Sequence, residues 1–139
     1  MKIFLVFMLF FATLFAKDVA IVKKVIGEVF AKRVENLKKL SVGDKIQEGD
    51  VVLTKQDSGI GMIFDDGTSL SLGSNSVLSI EQYLFKPAKN EYVLDINMKK
   101  GLASFESGKM GKLSPDSVKF RVPEGTIGIR GTKFYVEVK

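Results

Sequence analysis

From Lys17 onward the apolar residues come in short alternating or β-branched runs, cut by Gly, Asp, Asn or Pro about every 8 to 12 residues. No window of helical length carries a convincing 3.6-residue period. The nearest candidate, Ala31 to Leu40, spaces Val34, Leu37 and Leu40 three apart. It follows a strand-like Val29-Phe30-Ala31 and runs into a Gly-Asp turn, so it reads as a strand end and a polar loop. Period two sets the fold class as all-β. Eleven short strands are expected: Val19 to Ile26, Glu28 to Val34, Val51 to Thr54, Gly59 to Phe64, Ser69 to Leu72, Val77 to Leu84, Tyr92 to Met98, Leu102 to Glu106, Val118 to Val122, Thr126 to Ile129 and Phe134 to Val138. Such a set suits a sandwich, roll or solenoid.

Alternation also orients the strands. In Thr68-Ser69-Leu70-Ser71-Leu72 the two Leu share one face and the two Ser the other. In Val118-Lys119-Phe120-Arg121-Val122 the charged pair points to solvent and the apolar trio inward. A sheet wet on one face and dry on the other implies two layers. Most of the 13 Gly fall between strands: Gly27, Gly43, Gly49, Gly67, Gly73, Gly101, Gly125 and Gly131 are expected at turns that need positive φ. Asp65-Asp66-Gly67-Thr68 is the strongest hairpin signal and Lys89-Asn90 a weaker one. Gly43-Asp44 and Gly49-Asp50, six residues apart, read as two turns on one edge.

The first residues obey a different rule. Met1-Lys2 precedes Ile3 to Ala16, an apolar run of 14 residues broken only by Thr13 and followed by Lys17-Asp18. At about 1.5 Å per residue the run spans about 21 Å, short of the roughly 30 Å bilayer core, so a signal peptide over 1–16, cleaved after Ala16, is expected. The alternatives are an uncleaved anchor or a buried helix. Cleavage takes one Lys and leaves 17–139 as a single basic domain of net charge +4. An exported chain without Cys must hold its fold with a hydrophobic core alone.

The sequence has no His, Cys or Trp. The commonest general base, the thiol nucleophile and nearly every transition-metal ligand set are therefore missing, and no cofactor is expected. Asp44, Asp50, Asp65 and Asp66 supply hard oxygen ligands, but their spacing matches no calcium loop and turn chemistry accounts for them better. A two-carboxylate hydrolase could draw on Asp65 with Glu81, and a Ser-Lys system on Ser104 to Lys109 or Ser114 to Lys119; nothing in the sequence brings either set together. The Gly-rich Glu124 to Thr132 stretch runs into a strand rather than a helix, unlike a phosphate loop. Basic pairs at Lys23-Lys24, Lys32-Arg33, Lys38-Lys39 and Lys99-Lys100 could face an anionic envelope polymer, or simply be a solvated surface interleaved with acids. Nucleic acid is not an expected partner of an exported chain.

From Gly27 the order is GEVFAKR, LSVGDKIQEGDVVLT, GIGMIFDDGTSLSLGSNSVLSI, LDINMKKGLASF and VKFRVPEGTIGIRGTKFYVEV. This series resembles a FecR-type domain over residues 27 to 138. The family's Gly-Asp turns, Asp-Gly-Ser/Thr hairpin, Gly before a short strand and terminal Arg-Gly-Thr fall on Gly43-Asp44, Gly49-Asp50 with Thr54, Asp66-Gly67-Thr68, Gly101 and Arg130-Gly131-Thr132. The resemblance implies a two-layered β-solenoid or roll. It also implies kinship with periplasmic sensors of cell-surface signalling, in which the domain follows a cytoplasmic anti-sigma region and a transmembrane helix. Without those parts this sequence reads as a stand-alone exported version. The expected function is a non-enzymatic periplasmic or envelope binding or assembly module, with a protein or envelope polymer as partner. Membrane attachment would come only through an uncleaved leader. Signalling in trans with a separate membrane partner is the alternative, and an envelope hydrolase a remote one. The expected interaction edge is Phe134, Tyr135, Val136, Glu137 and Val138, with Arg130 and Thr132 positioning the turn before it.

Overall fold

The structure is a computed structural model that describes residues 17–129 and 133–139. The leader expected over 1–16 and the expected Arg130, Gly131 and Thr132 turn lie outside the described residues. Among the described residues the fold is all-β, with twelve strands: β1 (Asp18–Ile26), β2 (Val29–Arg33), β3 (Asn36–Lys39), β4 (Lys45–Gln47), β5 (Val51–Thr54), β6 (Gly59–Phe64), β7 (Ser69–Leu72), β8 (Val77–Lys86), β9 (Glu91–Glu106), β10 (Val118–Val122), β11 (Gly125–Ile127) and β12 (Lys133–Val138). One short helix, α1 (Lys109–Leu113), precedes β10. No helix among the described residues is long and apolar enough to cross a membrane.

Three departures from the sequence expectation are instructive. The segment read as strand end and polar loop is a hairpin: β2 turns at Val34, φ 57°, and β3 returns with Arg33 opposite Asn36 and Phe30 opposite Lys39. The apolar residues that mimicked a helical stripe are exposed there, Val34 at 86% and Leu37 at 58%, so their spacing never recorded a buried face. A three-residue strand, β4, lies between the two Gly-Asp turns, too short to leave a period. The two strands expected at Tyr92 to Met98 and Leu102 to Glu106 are one 16-residue strand, β9.

β9 organises the sheet. Along its first part it pairs antiparallel with β8, from Lys86 opposite Glu91 to Val77 opposite Lys100, and parallel with β10, Val118 opposite Leu94 and Phe120 opposite Ile96. Along its second part it pairs with β7, Leu70 opposite Phe105, and with β12, Phe134 opposite Phe105 and Val138 opposite Gly101. The main path runs β3-β2-β5-β8-β9-β7-β6-β1-β4, with β10 and then β11 branching from the first part of β9 and β12 from the second. A parallel neighbour requires a crossover, and residues 107–117, carrying α1, supply it. The whole sheet curls into a half-barrel around one core.

That core is filled from the inward side of nearly every strand. Leu70 and Leu72 are buried while Ser71 is exposed, and Val118 and Phe120 are buried while Lys119 and Arg121 are exposed. Phe105 of β9 stacks on Phe134 of β12 at 5.0 Å between ring centres, and Phe120 of β10 meets both edge-on at 5.9 and 5.4 Å. These rings tie three elements together; aromatic pairs of this kind contribute roughly 0.5–1.5 kcal/mol beyond their buried area.

The bend in β9 falls at Gly101, where φ is +107°. A Cβ there would collide with the Ser76 side chain and backbone, and Ser76 Oγ accepts the Leu102 N–H at 3.1 Å. Gly49 also has positive φ, +89°, but nothing lies within 4 Å of a Cβ there. Gly101→Ala should therefore cost about 3 kcal/mol in urea unfolding, from strain plus collision, and Gly49→Ala only about 1 kcal/mol from strain alone. Equal costs would show that the close approach of Ser76 to β9 is not what fixes the bend.

Candidate functional site

The two Gly-Asp turns have the same construction. Gly43 donates its N–H to the Val22 carbonyl at 2.8 Å, and the Asp44 carbonyl accepts from Val22 at 2.9 Å. Gly49 and Asp50 do the same with Ile80, at 2.7 and 3.0 Å. In each, the Asp carboxylate accepts the N–H three residues back, Ser41 for Asp44 at 2.8 Å and Gln47 for Asp50 at 2.9 Å. The turns do not share an edge, as the sequence suggested: the first is clipped to β1 and the second to β8, in different halves of the half-barrel. The six-residue spacing spans the gap between those halves through β4.

Only the second carboxylate is buried. Asp50 takes a bidentate pair of bonds from Arg33, Nε to Oδ1 and Nη2 to Oδ2, both at 2.9 Å. The Asp50 side chain is 1% exposed and Arg33 33%, and the Asp50 hydrogen bond raises the Arg33 pKa above its ordinary value. The sequence offered Arg33 only as half of a surface basic pair; nothing local marks a partner 17 residues away.

Asp66, of the expected Asp66-Gly67-Thr68 hairpin, anchors a denser network. Its Oδ1 accepts from Thr68 N–H at 3.1 Å and the Tyr83 hydroxyl at 3.2 Å, and its Oδ2 from Thr68 Oγ1 at 2.8 Å and Met110 N–H at 3.1 Å. The Tyr83 hydroxyl in turn accepts the Asp66 N–H at 2.9 Å. Asp66 and Thr68 are each 1% exposed and Tyr83 2%. Burial, reinforced by the Asp66 charge, pushes the Tyr83 hydroxyl pKa well above the usual tyrosine range. Gly67, φ +87°, makes the turn, and its N–H reaches the Phe64 carbonyl. These residues join the β6–β7 turn to β8 and to the start of α1. Tyr83 and Met110 were not legible as its partners.

The expected edge residues lie on β12, whose pairing among the described residues is with β9 alone. Tyr135 and Glu137 are exposed on the outer face, opposite Ser104 and Leu102; Phe134 and Val136 are half-buried, and Val138 is buried. Beside them the outer face carries a groove of about 560 Å³ lined by Ser71, Gly73, Leu102, Ser104, Tyr135 and Glu137 among others. Small residues on β7 and β9 leave the depression, with Leu102 (50% exposed) and Tyr135 (74%) at its sides. The groove was not legible in the sequence, because Ser71, Leu102 and Tyr135 become neighbours only through β9.

The hydrolase candidates are not assembled. Asp65 and Glu81 are both exposed, Ser104 faces the β12 groove, and Ser114 Oγ is bonded to Ser117 Oγ at 2.6 Å. Among the described residues no three His, Cys, Asp or Glu side chains converge as a metal site would require. On the basic surface Arg121 is paired with Asp95 at 2.7 Å.

Arg33→Ala would leave the Asp50 carboxylate buried with one donor, and should cost about 2–4 kcal/mol in equilibrium unfolding; Arg33→Lys should recover only part of this, having no planar fork. Tyr83 adds a pH signature. Its folded pKa lies above the unfolded value near 10, so its contribution is complete below pH 10 and falls as the pH rises further. Melting temperature measured across that range should drop more steeply for the native chain than for Tyr83→Phe, which also starts about 1–3 kcal/mol less stable through its unpaired Asp66 groups. Parallel curves would show that Tyr83 does not hold its proton in the folded state.

A family model described as FecR protein matches residues 50–139, from the buried Asp50 of the second turn to the end of the β12 edge. No curated protein matches the chain, and no solved structure does. Because the family match takes in Asp66-Gly67-Thr68, the bend at Gly101 and well over half of the sequence, this chain belongs to the FecR protein family.

Proposed function

We propose that the chain is an exported, non-enzymatic FecR-domain module of the periplasm or envelope, with residues 1–16 as leader and 17–139 as the β domain. It binds a protein or envelope polymer through the β12 edge, Phe134 to Val138. The observation that carries this reading is the edge itself. β12 has a hydrogen-bonded neighbour on one side only among the described residues, and its apolar Phe134 and Val136 are covered only in part. An added strand would satisfy the free backbone groups and cover those side chains at once. Export is supported by the 14-residue apolar run ending at Ala16 and by a core that needs no disulfide. The two-layered, roll-like packing that the family resemblance implies belongs to the same reading, supported by β9 serving both ends of one core.

Family membership favours a second reading, signalling in trans, in which the same edge meets a separate membrane protein and relays envelope state. A sigma factor and a TonB-dependent receptor encoded beside this gene would favour it; an adhesin or autotransporter operon would favour assembly.

The test places a photocrosslinking residue at Tyr135 in the full exported chain, with a control at Lys38 on the β3 edge. Adducts in the periplasmic fraction should form from position 135 and be at least about tenfold weaker from 38, a difference of roughly 1.4 kcal/mol in occupancy. One stoichiometric membrane protein among them supports signalling. Adducts from 38 alone, or a mature product found in the cytosol, would overturn the proposal. Mass spectrometry of the exported protein should give a chain beginning at Lys17.

A further inference from the structure

We infer that β12 docks a second copy of this chain, antiparallel and in a single register that places Tyr135 on the two-fold axis, Lys133 opposite the partner's Glu137, and Phe134 opposite the partner's Val136. The inference rests on the preceding reading of β12 as a docking edge and names its occupant.

Four strands end the sheet among the described residues, β3, β4, β11 and β12. Three are unsuited to self-pairing. β4 and β11 have three residues each, and β3 is Asn36-Leu37-Lys38-Lys39, four residues exposed throughout with two lysines and no acidic residue to meet them in a second copy. β12 has six residues, Lys133-Phe134-Tyr135-Val136-Glu137-Val138, with burial alternating between an exposed outer row and a covered inner row.

Antiparallel pairing about a two-fold axis normal to the sheet keeps each row on its own face. With Tyr135 on the axis, the outer row reads Lys133, Tyr135, Glu137 against Glu137, Tyr135, Lys133, so both end pairs are of opposite charge and the aromatic meets itself. The inner row sets Phe134 against Val136 twice, an aromatic–β-branched pair of the kind that stabilises cross-strand contacts. Shifting the register by two residues, with Val136 on the axis, puts Glu137 opposite Tyr135 and loses both charge pairs. Glu137 stands opposite Leu102 within its own chain and has no ion pair among the described residues. Lys133 lies over the Tyr135 ring at 5.4 Å, on the outer face that the pairing uses, with Glu106 opposite it on β9. Each copy thus brings one cation and one anion to the same side of the same strand, in an order that is complementary only to its own reversal.

The exported protein should sediment as a concentration-dependent monomer–dimer equilibrium over about 10–200 µM protein, a range in which a weak edge contact is visible, at about 0.15 M salt, where the two basic copies are screened at long range. Glu137→Lys and Lys133→Glu should each raise the dissociation constant about 10- to 100-fold, by turning two attractive contacts into two repulsive ones. The double variant Lys133→Glu/Glu137→Lys should restore dimerisation to within about threefold, since it re-forms both pairs in exchanged positions. Melting temperatures of all three serve as folding controls at these exposed positions. Tyr135→Cys should give an interchain disulfide, with no other Cys in the chain to compete. A protein that stays monomeric throughout overturns the inference, as does a dimer unchanged by both single reversals or one that the double variant does not restore. A monomer that still crosslinks another envelope component from position 135 overturns the self-pairing while leaving the docking edge in place; loss of crosslinks from 135 in a protein that also fails to dimerise overturns both.

Discussion

A strand has two hydrogen-bonding edges, and β9 uses both in each of its parts: β8 and β10 flank the first, β7 and β12 the second. Fully extended, its 16 residues would run about 53 Å, while a compact domain of this size is only about 35 Å across. The strand must bend, and it does so at Gly101, where only a residue without Cβ fits against Ser76. That bend converts a long sheet into a half-barrel. The inner faces of its two parts then see one another, and a single core forms from residues as far apart in sequence as Val19 and Val138.

A curled sheet leaves a gap between its halves, and buried carboxylates bridge the turns around it. Asp50 and Asp66 are both almost fully enclosed, a costly position for a charge unless each oxygen finds donors. The two solve the problem differently. Asp50 takes a guanidinium from β2 and a backbone N–H from its own turn, so charge meets charge. Asp66 has no cation among its hydrogen-bond partners and relies on two hydroxyls and two backbone N–H groups gathered from the β6–β7 turn, β8 and α1. A dipolar cage of this kind works only if every donor stays in place, which makes the hairpin, β8 and α1 interdependent.

The same pairing rules that build the core give β12 a neighbour on one side only among the described residues. Its inner row joins the Phe105–Phe120–Phe134 cluster, so the strand is packed on its inner face while, among the described residues, only β9 pairs with its backbone. The protective devices common on exposed edges, runs of lysine or very short strands, occur at β3, β4 and β11 but not at β12.

Much of this was legible from residue order. Period two in Ser69 to Leu72 and Val118 to Val122 gave both strands and their inward faces, and Asp66-Gly67-Thr68 gave its hairpin, because each signal is local. The β2–β3 hairpin was missed since Val34 and Leu37 are apolar yet exposed, and β4 because three residues cannot display a period. The Gly-Asp turns were recognised as turns but placed on one edge, although their attachments, Val22 and Ile80, lie in different halves. By itself the sequence determined that the chain is a pleated, one-side-wet protein, because the alternation of side chains along a strand is a property of neighbouring residues. Which donors reach Asp50 and Asp66, where β9 bends and which strands flank it were decided only by tertiary structure, because each depends on segments many residues apart arriving at the same place.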